Sequence, residues 1–433
     1  MVNIFWFRRD LRLYDNHGLY QALKAGLPVE LLFIFDTQIL DKLENKRDAR
    51  VSFIYNQLRN LNNLLQPYGS AVRIEYGSPL EVFEKIISQQ AVHAVFTNED
   101  YEPYALLRDE KVRNLLNTRN IDFYKFKDHV ILAPGEVLKD DGMPYTVYTP
   151  FANKWKRLMA TKNVRYYPSE KYLNFTVKKL HPFPDLGRFG FQQAMIDVPE
   201  IRLQPEVIKN YAERRNFPAV SGTTKAGVYL RFGTISIRQL VATALAQSET
   251  WLNELIWREF FMHVLFHFPF SATENFNPRY KHLQWRNNEA EFSRWCEGNT
   301  GFALVDAGIR ELVATGYMHN RVRMIVASFL TKHLLIDWRW GEAFFASHLL
   351  DFEQASNVGN WQWAAGTGCD AAPYFRVFNP TEQLKKFDAE MTYVRRWVPE
   401  IDEITYRPMV EHAMARNRAI ETYKAALNLN SGL

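Results

Sequence analysis

Asn357-Val-Gly-Asn-Trp-Gln-Trp-Ala-Ala-Gly-Thr-Gly-Cys-Asp370 sets two tryptophans, Trp361 and Trp363, among small residues. The aromatic and basic run Pro373-Tyr-Phe-Arg-Val-Phe-Asn-Pro380 follows directly. An indole is costly to hold in such a stretch unless it packs, stacks on a ligand or carries electrons. Glycine, for its part, lets a flat ligand approach the backbone closely. Nine of the eleven tryptophans lie between Trp251 and Trp397, so the second half of the chain is where unusual chemistry is expected.

Outward from that stretch the helical period dominates. Val305, Ile309 and Leu312 fall on one stripe, and Met324, Ala327, Ser328 and Thr331 on another. Ser236 and Asp306 read as helix starts, and Gly233, Gly301, Gly316 and Gly341 punctuate the run. The segment 201–433 is therefore expected to be all-α. The first 130 residues read differently. Short apolar runs at Val2–Phe7, Leu31–Phe35, Val72–Tyr76, Val92–Thr97 and Phe123–Phe126 look like buried strands. The amphipathic segments Ala49–Leu65 and Pro79–Gln89 stand between them. Strand alternating with helix predicts an α/β, Rossmann-like domain with a parallel sheet covered on both faces. No GxGxxG or GxxxxGKS loop is present. Between them, 131–200 reads as a long interdomain connection with turns at Asp140-Asp-Gly-Met-Pro144 and Pro182-Phe-Pro184 and a helix near Thr149–Thr161.

The totals narrow the class. At 433 residues two domains are expected, and 47% hydrophobic with 23% charged residues is a globular composition. No apolar stretch reaches the roughly 18 residues that span a membrane. Arg8-Arg9-Asp10 follows the first apolar run at once, which argues against a signal peptide. Two cysteines without CxxC spacing make a zinc site or a disulfide framework an unsuitable reading, and a cytoplasmic protein is expected. The net charge of +5 implies a mild attraction to polyanions.

Several constellations allow two readings from spacing alone. Gly222-Thr-Thr-Lys-Ala-Gly227 is either an anion cradle beside a helix start or a polar N-cap. In Trp251-Leu-Asn-Glu-Leu-Ile-Trp-Arg-Glu-Phe-Phe261, Glu254 and Arg258 stand four apart, as an ion pair on a helix would, and so do Trp257 and Phe261. Gly316-Tyr-Met-His-Asn-Arg-Val-Arg-Met324 places Asn320, Arg321 and Arg323 to meet phosphates, a cofactor or only solvent.

Taken together and in this order, these segments resemble the photolyase/cryptochrome family. The resemblance covers nearly the whole chain, from Phe5-Trp-Phe-Arg-Arg-Asp-Leu-Arg12 through Tyr145-Thr-Val-Tyr-Thr-Pro150 to Phe387-Asp388. Its most specific parts are Trp257-Arg-Glu-Phe260, Met318–Met324, Asp337-Trp338 and Asn357–Asp370. It is closest to class I cyclobutane pyrimidine dimer photolyases. This implies a helical FAD-binding domain in which reduced, photoexcited FAD passes an electron to a dimer flipped out of DNA. By resemblance Tyr211, Thr223, Thr224, Lys225, Ala226 and Gly227 hold the pyrophosphate region. Trp251, Arg323, Asp351, Phe352, Glu353 and Asn357 are the remaining cofactor contacts, with Arg323 paired to Asp351 and Asn357 next to flavin N5. Glu254, Trp257, Met324 and Trp363 receive the dimer, and Asn320, Arg321, Arg376, Gln383 and Arg396 grip DNA near it. Glu254, Asn357 and Met324 are the expected catalytic residues. Trp361, Trp338 and Trp285 match the electron-transfer chain from flavin to surface. No metal is implied.

Two departures stand out. Lys225-Ala-Gly227 replaces the family's frequent Arg-Leu-Ser. Glu102 matches a carboxylate used for an antenna folate in some members, yet Ala272 stands where those members place a lysine, so a second chromophore is left without an identity. Among rival readings, a signalling cryptochrome often carries a long C-terminal extension, whereas this chain ends soon after Phe387-Asp388. A six-four photoproduct photolyase uses a histidine near the position of Met324, and Asn320–Ile325 holds none. A monomer acting on DNA containing pyrimidine dimers is expected.

Overall fold

The computed structural model describes residues 1–195 and 197–429. They pack as two compact units. One takes Met1–Glu136, Arg157–Val198 and Ala226–Ala246; the other takes Val137–Lys156, Pro199–Lys225 and the chain from Gln247 onward. Each unit is discontinuous in sequence, unlike the contiguous segments 1–130, 131–200 and 201–433 of the sequence reading. Residues of the 131–200 connection are shared between the units; Thr176, for example, forms a parallel bridge with Val29 of the sheet unit.

The sheet unit holds five parallel strands, β1 (Val2–Phe7), β2 (Val29–Asp36), β3 (Val72–Gly77), β4 (Val92–Asn98) and β5 (Asp122–Phe126), in the order β3-β2-β1-β4-β5. All lie within about two residues of the expected runs. β2 is buried along its whole length, which is why it reads as an unbroken apolar run. Helices Ala49–Leu65 and Pro79–Gln89 form as expected, capped by Asp48 on Arg50 N and by Ser78 on Glu81 N. Ser236 Oγ accepts from Arg238 N at the start of Ile237–Gln247, the expected helix start.

Beyond β1 the charged residues Arg9, Asp10 and Arg12 are buried. Arg12 reaches Asp128 at 2.6 Å, and Arg238 reaches Asp15 at 3.0 Å and Asp128 at 2.8 Å. Burial alone would raise the Asp128 carboxyl, but Arg12 and Arg238 together hold it well below the usual range.

The helical unit packs around Trp295, Trp338 and Trp361. Val305, Ile309 and Leu312 are fully buried on one stripe; Ala327, Ser328 and Thr331 are buried on the other, while Met324 is only half-buried. Asp306 is not the start of its helix. Ala303–Thr315 begins after Phe302, and Asp306, inside the first turn, accepts from Thr300 N (2.8 Å), Thr300 Oγ1 (2.6 Å) and Gly301 N (2.9 Å), so it holds the preceding loop. Helix Tyr148–Ala160 forms where 149–161 was expected.

Helix Asn320–Ser328 runs into a π-helical turn, Phe329–His333, that turns Lys332 inward. Its Nζ donates to the carbonyls of Ala365 (2.8 Å) and Tyr374 (3.3 Å), and burial lowers its pKa well below the ordinary value. Lys332 thus satisfies an end carbonyl of helix Gln354–Ala365. That helix is pressed on two sides at glycines. A Cβ at Gly341 would stand 2.1 Å from the Trp361 ring, and one at Gly359 would stand 2.2 Å from the Phe261 ring. Gly341→Ala is therefore expected to destabilise the helical unit by about 1–3 kcal/mol through overpacking. Denaturant unfolding followed by tryptophan fluorescence measures this, and an unchanged midpoint would contradict the seating of Trp361.

Candidate active site

A pocket enclosing about 560 Å3, open to solvent, lies among helices Asn320–Ser328, Trp338–His348 and Gln354–Ala365. Asn320, Arg323 and Met324 line it from the first helix. Asp351, Phe352 and Glu353 enter from the connection, and Asn357, Trp361 and Trp363 from the last helix. Ala327, Phe345 and Leu349 complete an apolar wall.

Its polar groups are individually fixed. Arg323 Nη2 donates to both oxygens of Asp351, at 3.1 and 2.9 Å, and Nε donates to Met318 O at 2.7 Å. Burial would lower the Arg323 pKa, yet the Asp351 charge raises it overall, so the guanidinium stays charged. Glu353 accepts from Arg258 at 3.3 Å and from Ser356 Oγ at 2.9 Å. Asn357 Nδ2 donates to Glu342 O (3.1 Å) and Glu342 Oε1 (2.9 Å), while its Oδ1 accepts nothing among the described residues. Burial raises the Glu342 carboxyl, with the Asn357 bond opposing it in part. Glu342 was not singled out in the sequence; only helix-to-helix packing reveals that it orients Asn357. The buried Trp361 Nε1 also has no partner among the described residues.

A second group gathers beside helix Glu249–His267. Glu254 forms its ion pair with Arg215, not with the residue four positions on, and Arg215 too went unnoticed in the sequence. Burial raises the Glu254 carboxyl, and Arg215 draws it partly back. Tyr148 stacks on Trp257 at 3.6 Å and 4°, covering one face of the indole, while Phe261 lies at 5.5 Å. Burial, then the Glu254 charge, raises the Tyr211 phenol. Arg321 donates to Asn216 Oδ1 through Nε (3.2 Å) and Nη2 (2.6 Å) and lies 4.6 Å from the Phe387 ring centroid. Arg376 and Arg396 are exposed and Gln383 half-buried, and none of them lines the pocket; nor does the buried Trp251.

In the loop ahead of residue 226, the carbonyl of buried Thr224 accepts from Arg202 N at 2.9 Å. Lys225 sits at φ +52°, with Nζ 5.1 Å from the Tyr317 centroid. Ala226 and Gly227 cluster with the sheet unit instead. The helix that follows, Gly227–Arg231, has only five residues, so an anion here would depend on the loop amides and Lys225 more than on a helix dipole. Trp338 is fully buried, with Nε1 donating to Asn275 Oδ1 at 2.8 Å; half-buried Trp285 meets Tyr423 edge-on at 6.3 Å.

The pairing at Glu254 is directly testable. Arg215→Ala removes the cation that lowers the carboxyl, so its pKa is expected to move further up. Carboxyl-labelled NMR titration follows this shift; no movement, or a fall, would contradict the assigned balance.

Apolar walls with a few convergent polar groups are what a flat aromatic cofactor requires. The unengaged Asn357 oxygen and the Arg323–Asp351 pair are donors and acceptors of the kind an isoalloxazine ring and ribose can meet. Comparison with known proteins agrees. The FAD binding domain of DNA photolyase matches residues 251–422, and the DNA photolyase domain matches residues 3–169. A deoxyribodipyrimidine photo-lyase of Synechococcus sp. is 38% identical, covering 94% of this chain and 90% of its own length. A bacterial class III photolyase from Agrobacterium tumefaciens is similar with a TM-score of 0.86 at 31% identity, over 98% of this chain and 97% of that one. An archaeal photolyase from Sulfolobus tokodaii, solved with two FAD molecules, is similar with a TM-score of 0.80 at 32% identity, over 98% of this chain and all (100%) of that one. With both halves matched and relatives aligned along almost their full length, the chain belongs to the DNA photolyase family.

Proposed function

We propose that this chain is a deoxyribodipyrimidine photo-lyase, a carbon–carbon lyase that uses light to split cyclobutane pyrimidine dimers in DNA. The observation that carries the reading is Asn357. Its amide nitrogen is taken by Glu342, so it offers the pocket only an acceptor, which suits the N–H that a flavin bears at N5 when reduced. FAD held there in its fully reduced form would supply, on illumination, the reversible one-electron chemistry that opens the cyclobutane ring.

Arg323, Asp351, Phe352, Glu353 and Asn357 hold the cofactor, and Tyr211, Thr223, Thr224 and Lys225 serve its phosphates. A dimer stacked in duplex DNA cannot reach a pocket of this kind, so it is flipped out; photolyases are themselves a standard example of base flipping. Trp257, held by Tyr148 on one face, presents its remaining surface to a flipped pyrimidine, with Trp363 and Met324 as further apolar contacts. Glu254, whose carboxyl is raised by burial, hydrogen-bonds a base carbonyl and steadies negative charge as it develops there. Asn320, Arg321, Arg376, Gln383 and Arg396 grip the DNA strand flanking the lesion, the arginines through phosphates. Trp361, Trp338 and Trp285 return electrons to an oxidised cofactor and are not needed in each repair cycle.

In this reading 1–130 is the antenna domain, 131–200 the connection and 201–433 the FAD-binding catalytic domain. Glu102 is already engaged by Arg9 (3.1 Å) and Arg231 (3.3 Å), which together with Ala272 disfavours a folate antenna. The second FAD of the archaeal relative favours a flavin instead. No helix among the described residues is long and apolar enough to cross a membrane; the protein is proposed to act as a cytoplasmic monomer.

Reduced, illuminated protein is expected to remove dimers from irradiated DNA. Flavin photoreduction with no loss of dimers would point to a photoreceptor instead. Glu254→Ala should lower the quantum yield of repair several-fold without abolishing it. Trp338→Phe should slow photoreduction of oxidised FAD while pre-reduced enzyme repairs as before; equal damage to both would undo that division of labour. Arg321→Ala should flatten the salt dependence of DNA affinity by about one unit of log–log slope, and an unchanged slope would remove that phosphate contact.

A further inference from the structure

Trp257 is a half-buried indole on helix Glu249–His267, and a tryptophan so placed ordinarily samples several rotamers. Here a residue from another segment removes that freedom. The Tyr148 ring lies parallel to the indole, at 3.6 Å and 4°. The Tyr148 hydroxyl donates to Asn253 O at 3.0 Å, one turn earlier on the same helix. The phenol thus spans a turn of helix Glu249–His267 and is fixed at both ends. Phe260 (5.6 Å, 80°) and Phe261 (5.5 Å, 31°) bound the indole elsewhere.

Tyr148 is itself seated from a distance. It is the first residue of helix Tyr148–Ala160, and Val147 before it has no polar side chain to cap the helix. Asp370 supplies an acceptor instead: its Oδ2 takes the Tyr148 N–H at 2.9 Å. Asp370 stands at φ +48° in the segment that follows helix Gln354–Ala365. That segment folds back onto the helix, because Ala372 N donates to Trp363 O at 3.3 Å and buried Lys332 holds Tyr374 O at 3.3 Å. Contacts therefore run from Trp257 through Tyr148 and Asp370 to the helix that carries Trp363.

We propose that Tyr148, seated by Asp370, is a positioning residue that sets how well this protein distinguishes a pyrimidine dimer from intact DNA. Trp257 and Trp363 enter here as the walls that receive the flipped dimer, the reading on which this assignment rests.

The physical reason is preorganisation. A mobile indole must be immobilised when a flipped lesion docks against it, and that loss weakens binding. Stacking on Tyr148 makes the loss before DNA arrives. The benefit falls only on the complex in which a base enters the pocket, since DNA held through its phosphates alone never meets the Trp257 face. Burial, then the Glu254 charge, raises the Tyr148 phenol, so the hydroxyl stays protonated and remains a donor to Asn253 O. Simple packing predicts that removing the ring damages every kind of binding alike. Positioning predicts a loss confined to damaged DNA.

Affinities of full-length, FAD-loaded protein, kept in the dark, test this with two duplexes of one sequence and length at fixed salt, one carrying a single cyclobutane dimer. Tyr148→Ala is expected to cut the preference for the dimer by about tenfold through weaker binding of the damaged duplex, and Tyr148→Phe, which keeps the ring, to restore most of it. In a Trp257→Ala background Tyr148→Ala should change the preference by less than about twofold, because the group it positions is gone. Asp370→Ala should give a smaller loss that Asp370→Asn recovers. The role is overturned by a preference that survives Tyr148→Ala, by a loss as large without Trp257 as with it, or by one shared equally by the undamaged duplex. Should Tyr148→Ala fail to retain FAD, the Asp370 pair decides: no loss in Asp370→Ala, or a loss that Asp370→Asn does not recover, ends the case. A wild-type protein with no preference for the dimer, or Trp257→Ala with an undiminished one, would instead overturn the reading of the walls themselves.

Discussion

Helix Gln354–Ala365 can sit where it does only because Gly341 and Gly359 have no side chain. The Trp361 ring occupies the space a Cβ would take on one neighbouring helix, and Gly359 lies against the Phe261 ring of another. Close packing of this kind leaves no slack. One rigid element therefore presents Asn357, Trp361 and Trp363 together, and Asn357 is turned by Glu342 from the helix that carries Gly341. The far end is held by two buried donors on the Ala365 carbonyl, Lys332 Nζ at 2.8 Å and Tyr423 OH at 2.6 Å. An amine buried this deeply is costly unless its bonds are met, and here they complete the end of the helix that bears the site.

The two units use charge in opposite ways. In the sheet unit Arg12, Arg238, Asp15 and Asp128 are buried and mutually paired, so their charges are spent on structure. Around Glu254 the cations are incompletely matched. Burial lowers the Arg321 pKa, and Arg215 and Arg376 lower it further, with Glu254 the opposing charge. A surplus of positive charge close to a carboxyl raised by burial suits a polyanion that brings a base needing a hydrogen bond.

Much of this was legible in the chain. β2 announced itself as an apolar run because both its faces are covered, and Ala49–Leu65 and Pro79–Gln89 because each carries an amphipathic stripe. Family motifs named nine of the pocket-lining residues. What stayed hidden depended on partners distant in sequence. Glu254 looked like half of a pair on one helix, yet its partner, Arg215, comes from another segment. Tyr148, Glu342 and Lys332 carry no local mark of their roles. Asp306 looked like a helix start because a carboxylate in the first turn and one at the cap are alike in sequence.

By itself the sequence determined the periodicities, and hence a parallel sheet followed by a helical half, together with the order of motifs that marks the family. Those are properties of neighbouring residues, set by backbone geometry and side-chain alternation. Tertiary structure alone decided the unit boundaries and the direction in which Asn357 points, because each depends on contacts between residues whose separation in the chain places no limit on their separation in space.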